Sequence, residues 1–407
     1  MSDLNRKTRH VALIVEAVEA PRRQMLTGVA QYIQEHEPWA LYLKPARVQK
    51  SLDSWLEHWK GDGIIAAIDD LNRQLLLDKR LPIVDVAGRV RQPGIPLVHA
   101  NDRSIGRMGA EHLLERGFRH FGFCVFPGFF WSEDRRDGFV QAVRERGFDC
   151  QVFSVEPLPE AGGPQSWEQQ QQAMVQFINS LPRPAGVMTS TDLQGQQFLE
   201  ACLRARVRVP EEIAVLGADN DEPICRITSP PLSSVIINDH QRGYESAALL
   251  DRLMSGQPPP EEPIYIEPAG VYARASTDIL AIEDQIVVTA LRYIRDNACE
   301  GINVRDVVRQ VPVSRSVLER RFRKLLGSSI NDEIVRQRIN RAIELLSGTN
   351  LELKAIAMKA GFGSQAYMTA VFRSKLDVTP GSYRMPGARR GHPQAMPAAT
   401  HANALAE

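Results

Sequence analysis

The C-terminal part of the chain carries the same plan of residues twice, with the second copy 50 positions after the first. In each copy, a short helix with one apolar side is followed by a turn and a serine, Ser314 or Ser364, that can cap a second helix. Phe322 and Phe372 each stand eight residues after their serine. Because chance rarely repeats such offsets, this region is predicted to contain two helix-turn-helix units.

The rest of the duplicated region also has helical periodicity. Residues 303–311 and 353–360 predict the two short first helices, and residues 330–346 predict one long helix between the units. Gly327 stands where the second helix of the first copy can end. No strand pattern occurs here, so residues 283–385 are predicted to form an all-helical domain.

Each second helix has an apolar face and a polar face. The apolar residues at helical spacing are Leu318, Phe322 and Leu325 in the first copy and Met368, Val371 and Phe372 in the second. The opposite faces carry Arg315, Ser316, Glu319, Arg320 and Arg323 in the first copy and Gln365, Ala366, Thr369 and Arg373 in the second. A packed back and a polar front are what a helix needs to reach base edges in the DNA major groove. The second helices are therefore predicted to be recognition helices.

Polar side chains of this region suit two kinds of DNA contact. Arg320 can bond to O6 and N7 of guanine, and Gln365 can pair with adenine through two hydrogen bonds. Other basic residues suit phosphate contacts, which position a protein without reading sequence: Arg321, Lys324, Lys354, Lys359 and Lys375. A solvated helix face is the alternative role for each. The long middle helix would hold both recognition helices at a fixed separation, so that one chain could enter successive groove turns about 34 Å apart.

Charge is distributed unevenly along the chain. The whole sequence has a formal net charge of zero, but the segment from Glu283 to Arg390 has 19 Lys and Arg against 11 Asp and Glu, a net charge of +8. The remainder therefore has a net charge of −8. This asymmetry favours a phosphate-facing segment joined to a part with another role, although an unevenly charged inert surface is the alternative.

Short apolar runs alternate with helical patterns from residue 11 to about 240. The runs are Val11 to Val15, Gly63 to Ile68, Pro82 to Val86, Phe121 to Val125, Gly186 to Met188 and Ile213 to Leu216. They predict buried parallel strands in a doubly wound α/β architecture. Ligands of such sheets bind beyond the carboxyl ends of the strands, and four acidic residues follow the runs: Glu16, Asp69, Asp192 and Asp219.

These patterns divide the chain into four parts. Residues 1–274 are predicted to form a ligand-sensing α/β domain, and residues 275–282 a linker. Residues 283–385 are the helical domain, and the Pro-, Gly- and Ala-rich residues 386–407 are predicted to be a disordered tail.

Several classes of protein are disfavoured. No apolar run approaches the roughly 20 residues of a membrane span, and the polar N-terminus lacks a signal-peptide pattern, so a cytoplasmic protein is expected. The five cysteines form no Cys-x-x-Cys pair, so neither a metal site nor disulfides are expected. Phosphate-loop, dinucleotide-binding, metalloprotease and nucleophile-elbow motifs are absent from the sequence, which predicts a non-enzyme without a cofactor.

Residues 283–385 resemble the AraC family of DNA-binding domains. The resemblance rests on the pattern Gly361-Phe, Phe372-Arg and Thr379-Pro-Gly-Ser-Tyr-Arg384. It implies sequence-specific binding of double-stranded DNA, with base contacts from Arg315, Ser316, Arg320, Gln365, Ala366 and Thr369. Ala366 is small and apolar, so its contact would be weak or directed at a thymine methyl group.

The α/β half resembles the LacI/GalR sugar sensors and periplasmic sugar-binding proteins. Their combination with an AraC-type domain is similar to the xylose operon activators, which share these segments: Arg23-Gln24, Gly61-Asp-Gly-Ile-Ile65, Asp69-Asp70, Arg292-Tyr-Ile-Arg295, Ala298-Cys299 and Ser314-Arg-Ser316. The resemblance implies a homodimeric, two-lobed sensor of D-xylose that activates transcription with RNA polymerase. A sensor of another sugar and a sugar-responsive repressor remain alternatives.

The LacI-like sensors place their sugars where this chain has a small set of polar residues. That resemblance implies sugar contacts from Asp69, Arg135, Asp192 and Asp219, supported by Glu16, Arg23 and Asn220. Carboxylates and guanidinium groups can each bond two vicinal sugar hydroxyls. A helix cap or an interdomain salt bridge is the alternative role for each residue. Phe129, Phe130 and Trp131 could stack on the sugar or belong to the core.

Overall fold

The computed structural model describes residues 8–15, 20–44, 49–89, 94–154, 164–279 and 284–384. The predicted sugar contact Glu16 and the predicted tail, residues 386–407, lie outside these ranges. So do the last three residues of the predicted linker, 280–282.

Strands and helices alternate in the N-terminal part, as predicted. In chain order the elements are β1 (Arg9–Ile14), α1 (Ala20–Glu35), β2 (Trp39–Lys44), α2 (Gln49–His58), β3 (Gly63–Ala66), α3 (Arg73–Asp78), β4 (Ile83–Asp85), β5 (Val98–Ala100), α4 (Asp102–Glu115), β6 (His120–Val125), α5 (Phe130–Glu145), β7 (Cys150–Ser154), α6 (Pro164–Ser180), β8 (Ala185–Thr189), α7 (Asp192–Arg204), β9 (Ile213–Ala218), α8 (Glu222–Ile227), β10 (Ser233–Ile236), α9 (Asp239–Met254), β11 (Ile264–Ile266) and β12 (Gly270–Tyr272). A 3-10 turn, Ala275–Thr277, follows.

The strands form two lobes. The first lobe contains a sheet in the order β2-β1-β3-β4 and the pair β11-β5, whereas the second lobe contains a sheet in the order β12-β10-β9-β8-β6-β7. All pairings within these sheets are parallel except that of β10 with β12. The chain passes between the lobes three times, after β5, after β10 and after β11. The predicted doubly wound, two-lobed architecture is therefore confirmed.

Glycines allow two pairs of helices to approach closely. A Cβ atom on Gly106 of α4 would lie 1.8 Å from the backbone oxygen of Arg135 in α5, and one on Gly138 would lie 2.0 Å from that of Arg103. Gly28 of α1 and Gly243 of α9 meet the partner helix in the same way. These contacts bring polar residues at the helix N-termini towards the gap between the lobes.

The strands that the sequence patterns missed lie at sheet edges or contain buried polar residues. Strands β2 and β7 are edge strands whose residues are mostly half buried or exposed. β7 lacks a continuous apolar run, whereas β2 begins with the apolar run Trp39-Ala-Leu-Tyr-Leu43 and was not predicted all the same. β10 begins with Ser233 and Ser234, which are both fully buried. Since hydroxyl groups can be buried when they are hydrogen-bonded, a strand of this kind gives no hydrophobic signal.

The C-terminal part is entirely helical over the residues described. Its helices are α10 (Gln285–Asn297), α11 (Val304–Val308), α12 (Arg315–Leu326), α13 (Ile330–Gly348), α14 (Leu353–Lys359), α15 (Gln365–Leu376) and α16 (Pro380–Arg384). The first and second helices predicted for each helix-turn-helix unit correspond to α11 and α12 in the first unit and to α14 and α15 in the second. No helix in the described parts of the chain is long and apolar enough to cross a bilayer.

Helix α13 is shared between two hydrophobic cores. Ile330 and Ile334, near its start, pack with α10, α11 and α12. Ile339, Ile343 and Leu346, further along, pack with α14, α15 and α16. The predicted connector is thus a structural part of both units, and one helix determines their relative position.

The first residues of the predicted linker are packed into the second lobe. Ser276 and Thr277 are fully buried, and Ser276 donates a hydrogen bond of 2.6 Å to the backbone oxygen of Val215 in β9. The chain between the two domains is therefore fixed at least to Ile279, which belongs to the core of the second lobe.

Candidate ligand cavity and DNA-binding surface

A cavity of about 380 Å³ lies between the two lobes. Its lining includes Val15, Ala67 and Val86, which follow β1, β3 and β4 of the first lobe. The second lobe contributes Phe126 and Asp219, which follow β6 and β9. The cavity is therefore formed at the carboxyl ends of both parallel sheets, where ligands of doubly wound folds bind.

Arg135 occupies the centre of the second-lobe wall. Its side chain donates 2.8 Å and 3.1 Å hydrogen bonds to carboxylate oxygens of Asp102 and Asp219, and a 2.5 Å bond to the backbone oxygen of Ser190. The close approach of α4 and α5 creates this arrangement, because Asp102 begins α4 and Arg135 lies in the second turn of α5. Burial alone raises the pKa of Asp102, but Arg135 and His99 outweigh it and leave the pKa below its usual value.

Two further carboxyl groups of the cavity are strongly perturbed. Asp192 begins α7, and its carboxylate accepts hydrogen bonds from Ser234 Oγ at 2.5 Å and from the backbone nitrogen of Asp221 at 2.7 Å. Burial raises the pKa of Asp192 to about 7. Burial also raises the pKa of Asp219, against the effect of Arg135 and with that of the Asp192 charge. A carboxyl group that can be protonated near neutral pH can both donate and accept hydrogen bonds.

The backbone at Asp219 is in a conformation that non-glycine residues rarely adopt. Its φ angle is +110°, and that of the next residue, Asn220, is +51°. Such strained conformations occur preferentially at functional sites, because the surrounding structure holds them in place there.

Several polar residues of the cavity were not predicted from the sequence. Asp239 and Arg242 of α9 line it and form an ion pair of 2.5 Å, and His99 and Asp102 line it beside them. Asp239 and Asp102 stand just after β10 and β5, which were not predicted. The rule that found Asp192 and Asp219 would have found both residues if those strands had been recognised.

Aromatic residues cover one side of the cavity. Phe126, Phe129 and Trp131 line it, and the Arg135 guanidinium lies 5.2 Å from the centre of the Trp131 ring. Phe130 is not part of the lining, and its ring lies beside His99 with the centroids 5.4 Å apart. Two of the three aromatic residues singled out in the sequence thus face the cavity.

Three of the predicted sugar contacts that the structure describes are not found in the lining. Asp69 accepts hydrogen bonds of 3.0 Å from the backbone nitrogens of Leu71 and Asn72, so it has the alternative role of a local turn cap. Asn220 accepts a 2.8 Å bond from Arg274. Arg23 is exposed on α1, and Glu16 is outside the described residues. Arg135, Asp192 and Asp219 are the predicted residues that the structure brings together.

The predicted base-contacting residues lie on the outer faces of α12 and α15. Arg315, Ser316 and Arg320 are exposed on α12, opposite the fully buried Phe322. Gln365 and Ala366 are exposed at the start of α15, opposite the fully buried Phe372. Thr369 is half buried, and its hydroxyl donates a 2.9 Å bond to the backbone oxygen of Gln365.

The predicted phosphate contacts fall into two groups. Lys324, Lys354 and Lys359 are exposed. Arg321 is half buried and forms a 2.6 Å ion pair with Asp284, the residue that caps α10, and Lys375 forms a 3.0 Å ion pair with Asp332 of α13. Arg321 and Lys375 therefore have acidic partners within the helical domain in addition to any role towards DNA.

Three family models match this chain. Residues 10–100 match the XylR N-terminal domain, residues 110–277 match the periplasmic binding protein-like domain, and residues 307–385 match a helix-turn-helix domain. Together they cover most of both lobes and of both helix-turn-helix units.

Two relatives and one solved structure match nearly the whole chain. The xylose operon regulatory protein of Haemophilus influenzae is 32% identical over 92% of this chain and 98% of its own length. That of Escherichia coli is also 32% identical, over 93% and 97%. A solved structure described as the xylose-binding transcription activator XylR is 31% identical, with a TM-score of 0.73 over 93% of this chain and 98% of its own. The chain belongs to the family of xylose operon regulatory proteins.

Proposed function

We propose that this chain is a D-xylose-responsive transcription activator that binds the sugar between its two lobes and DNA through α12 and α15. The observation that carries the proposal is the cavity wall of Arg135 and its two carboxylate partners, beside an aromatic surface. A pentose presents vicinal hydroxyl groups on its edges and C–H groups on its faces, and this wall complements both. The solved relative is itself described as xylose-binding, which favours D-xylose over other sugars.

Arg135, Asp192 and Asp219 are the proposed principal sugar contacts, and Asp239 is added to them. The first three come from the second lobe, whereas Asp239 begins α9, which packs on the first lobe. A sugar bonded to both would hold the lobes together. Closure of the lobes around the ligand is therefore the proposed response to sugar.

For DNA, the proposed base contacts are Arg315, Ser316, Arg320, Gln365, Ala366 and Thr369. Lys324, Lys354 and Lys359 are the proposed phosphate contacts. Arg321 and Lys375 are proposed as weaker phosphate contacts, because the carboxylates of Asp284 and Asp332 neutralise part of their charge. The 19 residues of α13 correspond to a length of about 28 Å at 1.5 Å per residue. A helix of this length can hold α12 and α15 in neighbouring turns of one groove. We also propose that the protein acts as a homodimer and contacts RNA polymerase.

Calorimetric titration of the full chain with D-xylose, L-arabinose, D-ribose and D-glucose tests the sugar site. D-xylose should bind most tightly, and Asp219→Asn should weaken its binding by about 10- to 100-fold. The substitution disturbs the carboxyl group that accepts a hydrogen bond from the Arg135 guanidinium, and a hydrogen bond to a charged group contributes about 1.5–3 kcal/mol. Glu222→Gln is the matched control, since Glu222 is exposed three residues further on in the same region. Equal affinity of wild type and Asp219→Asn for D-xylose would refute the site.

Selection of binding sequences from random duplex DNA, followed by footprinting, tests the DNA side. Two half-sites separated by about 10.5 base pairs, one turn of the double helix, are expected from a single chain. A single short half-site per chain would contradict the use of both recognition helices.

A further inference from the structure

Two consecutive serines of β10 connect opposite faces of the second-lobe sheet. Neighbouring residues of a strand point to opposite faces. Ser234 Oγ donates a 2.5 Å bond to Asp192 of the cavity, whereas Ser233 Oγ receives a 2.7 Å bond from Thr277 Oγ1 on the other face. Both serines are fully buried. One short strand thus contacts the cavity and the segment that leads into the helical domain.

The turn Ala275–Thr277 is held tightly by this strand. Ser276 Oγ accepts a 2.8 Å bond from the backbone nitrogen of Ser233, and Ser233 Oγ accepts a 2.7 Å bond from that of Arg274. Because Ser233, Ser276 and Thr277 are fully buried, water cannot replace the hydrogen bonds between them, and a shift of β10 would displace the turn.

Helix α4 holds the same turn from its other side. Arg116 Nε donates a 2.9 Å bond to the backbone oxygen of Thr277, and its Nη1 donates one of 3.1 Å to His112 Nδ1. His112 Nε2 therefore carries the proton and donates to Thr277 Oγ1 at 2.9 Å. Burial and the Arg116 charge keep the pKa of His112 well below its usual value, so the imidazole is neutral. The hydrogen bonds then run in one direction, from Arg116 to Ser233.

The next residue, Asp278, contacts the helical domain. Its carboxylate accepts hydrogen bonds from Arg336 and, at 3.2 Å, from Gln337, both in α13. Arg336 also donates bonds of 3.0 Å and 2.5 Å to Glu333 in the preceding turn. Arg336 and Glu333 are 6% and 5% exposed, so this is a desolvated ion cluster at the junction of the two domains.

We infer that the cluster of Asp278, Arg336 and Glu333 transmits the state of the sugar cavity to the DNA-binding helices. The inference rests on the proposed function. Its basis is a path of hydrogen bonds and peptide bonds that runs from Asp192 through Ser234 and Ser233 of β10 and Thr277 of the 3-10 turn to Asp278, which bonds to α13, the helix shared by both helix-turn-helix units.

A desolvated ion cluster suits this role because it tolerates little displacement. Separation of Arg336 from Asp278 would leave buried charge uncompensated, which strongly disfavours any position of α13 that breaks the contact. Arg336 is a positioning residue, since it touches neither the cavity lining nor the exposed faces of α12 and α15. When a sugar hydroxyl engages Asp192, the bond from Ser234 must readjust, and the readjustment reaches α13 through the turn.

A second contact joins the domains at a different place. Arg295 of α10 forms an ion pair with Glu211, which precedes β9. This contact lies outside the path that runs from the cavity through β10 and the 3-10 turn, so it serves as a comparison. Arg295→Gln should loosen the domains without loss of the response to sugar.

The test measures the affinity of the full chain for a selected operator duplex with and without saturating D-xylose, and the D-xylose affinity by calorimetry. The ratio of the two operator affinities is the coupling factor. Arg336→Gln and Asp278→Asn should each lower it by at least about fivefold, the low end of typical allosteric couplings, while D-xylose affinity changes less than about twofold. Arg341→Gln is the matched control, because Arg341 and Glu344 form an exposed pair with the same spacing on α13.

Thermal unfolding of each variant separates loss of coupling from loss of folding. If Arg336→Gln fails to fold, the coupling factor is measured for Asp278→Asn and for the milder Gln337→Ala, and a loss of coupling in these two variants supports the inference. The double variant of Asp278 and Arg336 should lose no more coupling than either single variant, since each single substitution already removes the contact between these two residues. A wild-type coupling factor in both Arg336→Gln and Asp278→Asn would overturn this inference but leave the proposed function intact. A wild-type chain that binds D-xylose with no change in operator affinity would overturn the proposed function as well.

Discussion

The two helix-turn-helix units have the same internal frame but different outer faces. Residues that pack inward match at an offset of 50: Leu318 with Met368, Phe322 with Phe372, and Leu326 with Leu376, all buried. Most outward positions do not match, since Arg315, Arg320 and Lys324 correspond to Gln365, Ala370 and Ser374; Arg323 and Arg373 are an exception. Helix α12 has five Lys and Arg residues and one Glu, whereas α15 has two basic residues and no acidic one. The frame was thus kept while the surface that would meet DNA diverged.

This difference indicates a division of work between the units. A strongly basic helix gains affinity from phosphate groups, and this contribution weakens as salt rises. A helix with neutral polar residues can discriminate bases without adding much charge. The first unit is accordingly expected to supply most of the affinity, and the second to add specificity that is less sensitive to salt.

The largest expected effects concern the shared frame. Phe322→Ala and Phe372→Ala should each lower the free energy of unfolding of the helical domain by about 3–5 kcal/mol, because each side chain is fully buried. Urea unfolding of the full chain, followed by circular dichroism, measures both values.

The half-exposed Tyr367 of α15 provides a control within the same helix, since Tyr367→Ala should change the free energy of unfolding much less. Because α13 belongs to both cores, either phenylalanine variant should shift one common transition. Two separate transitions for the two units would break the idea of a shared frame.

The next effect concerns base recognition. Arg320→Ala should remove about 1–3 kcal/mol of discrimination at one operator position, and Gln365→Ala a similar amount at a position about one turn away. Competition binding with operators that carry single base changes measures this. Discrimination lost at the same position in both variants would mean that the two helices do not read separate groove segments.

Whether an element could be predicted from the sequence depended on how much of its apolar pattern is local in the chain. The frame of the units was predictable because apolar residues at helical spacing are local and repeated. The central strands were predictable because β1, β3, β8 and β9 are apolar on both faces. The edge strand β7 was not, since it has no continuous apolar run, and β2 was missed although five of its six residues are apolar.

The cavity was only partly predictable for a related reason. Asp192 and Asp219 follow recognisable strands, but Asp239 follows β10, whose buried serines give no apolar run. Asp69 follows a recognisable strand too, yet its carboxylate caps the turn before α3. The Asp278, Arg336 and Glu333 cluster joins residues 58 and 3 positions apart, and tertiary packing alone brings Asp278 to α13.

A smaller effect should distinguish the phosphate contacts of the two units. Lys324→Ala should lower the slope of log affinity against log salt by about one, whereas Lys375→Ala should lower it by less, because Asp332 already neutralises part of the Lys375 charge. Operator titrations at several salt concentrations give both slopes. Asp332→Asn should free Lys375 and raise the affinity for operator and random DNA alike; no change would mean that Lys375 does not face phosphate.

The smallest effect concerns the residue that ends each recognition helix. Gly327 and Asp377 occupy matched positions with φ angles of +66° and +56°, a left-handed conformation that glycine adopts without strain. Gly327→Ala should therefore destabilise the helical domain by about 1 kcal/mol, and Asp377→Gly should stabilise it by less than about 1 kcal/mol, since relief of strain is offset by the greater entropy of the unfolded chain. Urea unfolding of both variants measures the two signs. The same sign in both would show that the two helix ends are not equivalent, and the match of the frames would then stop at Leu326 and Leu376.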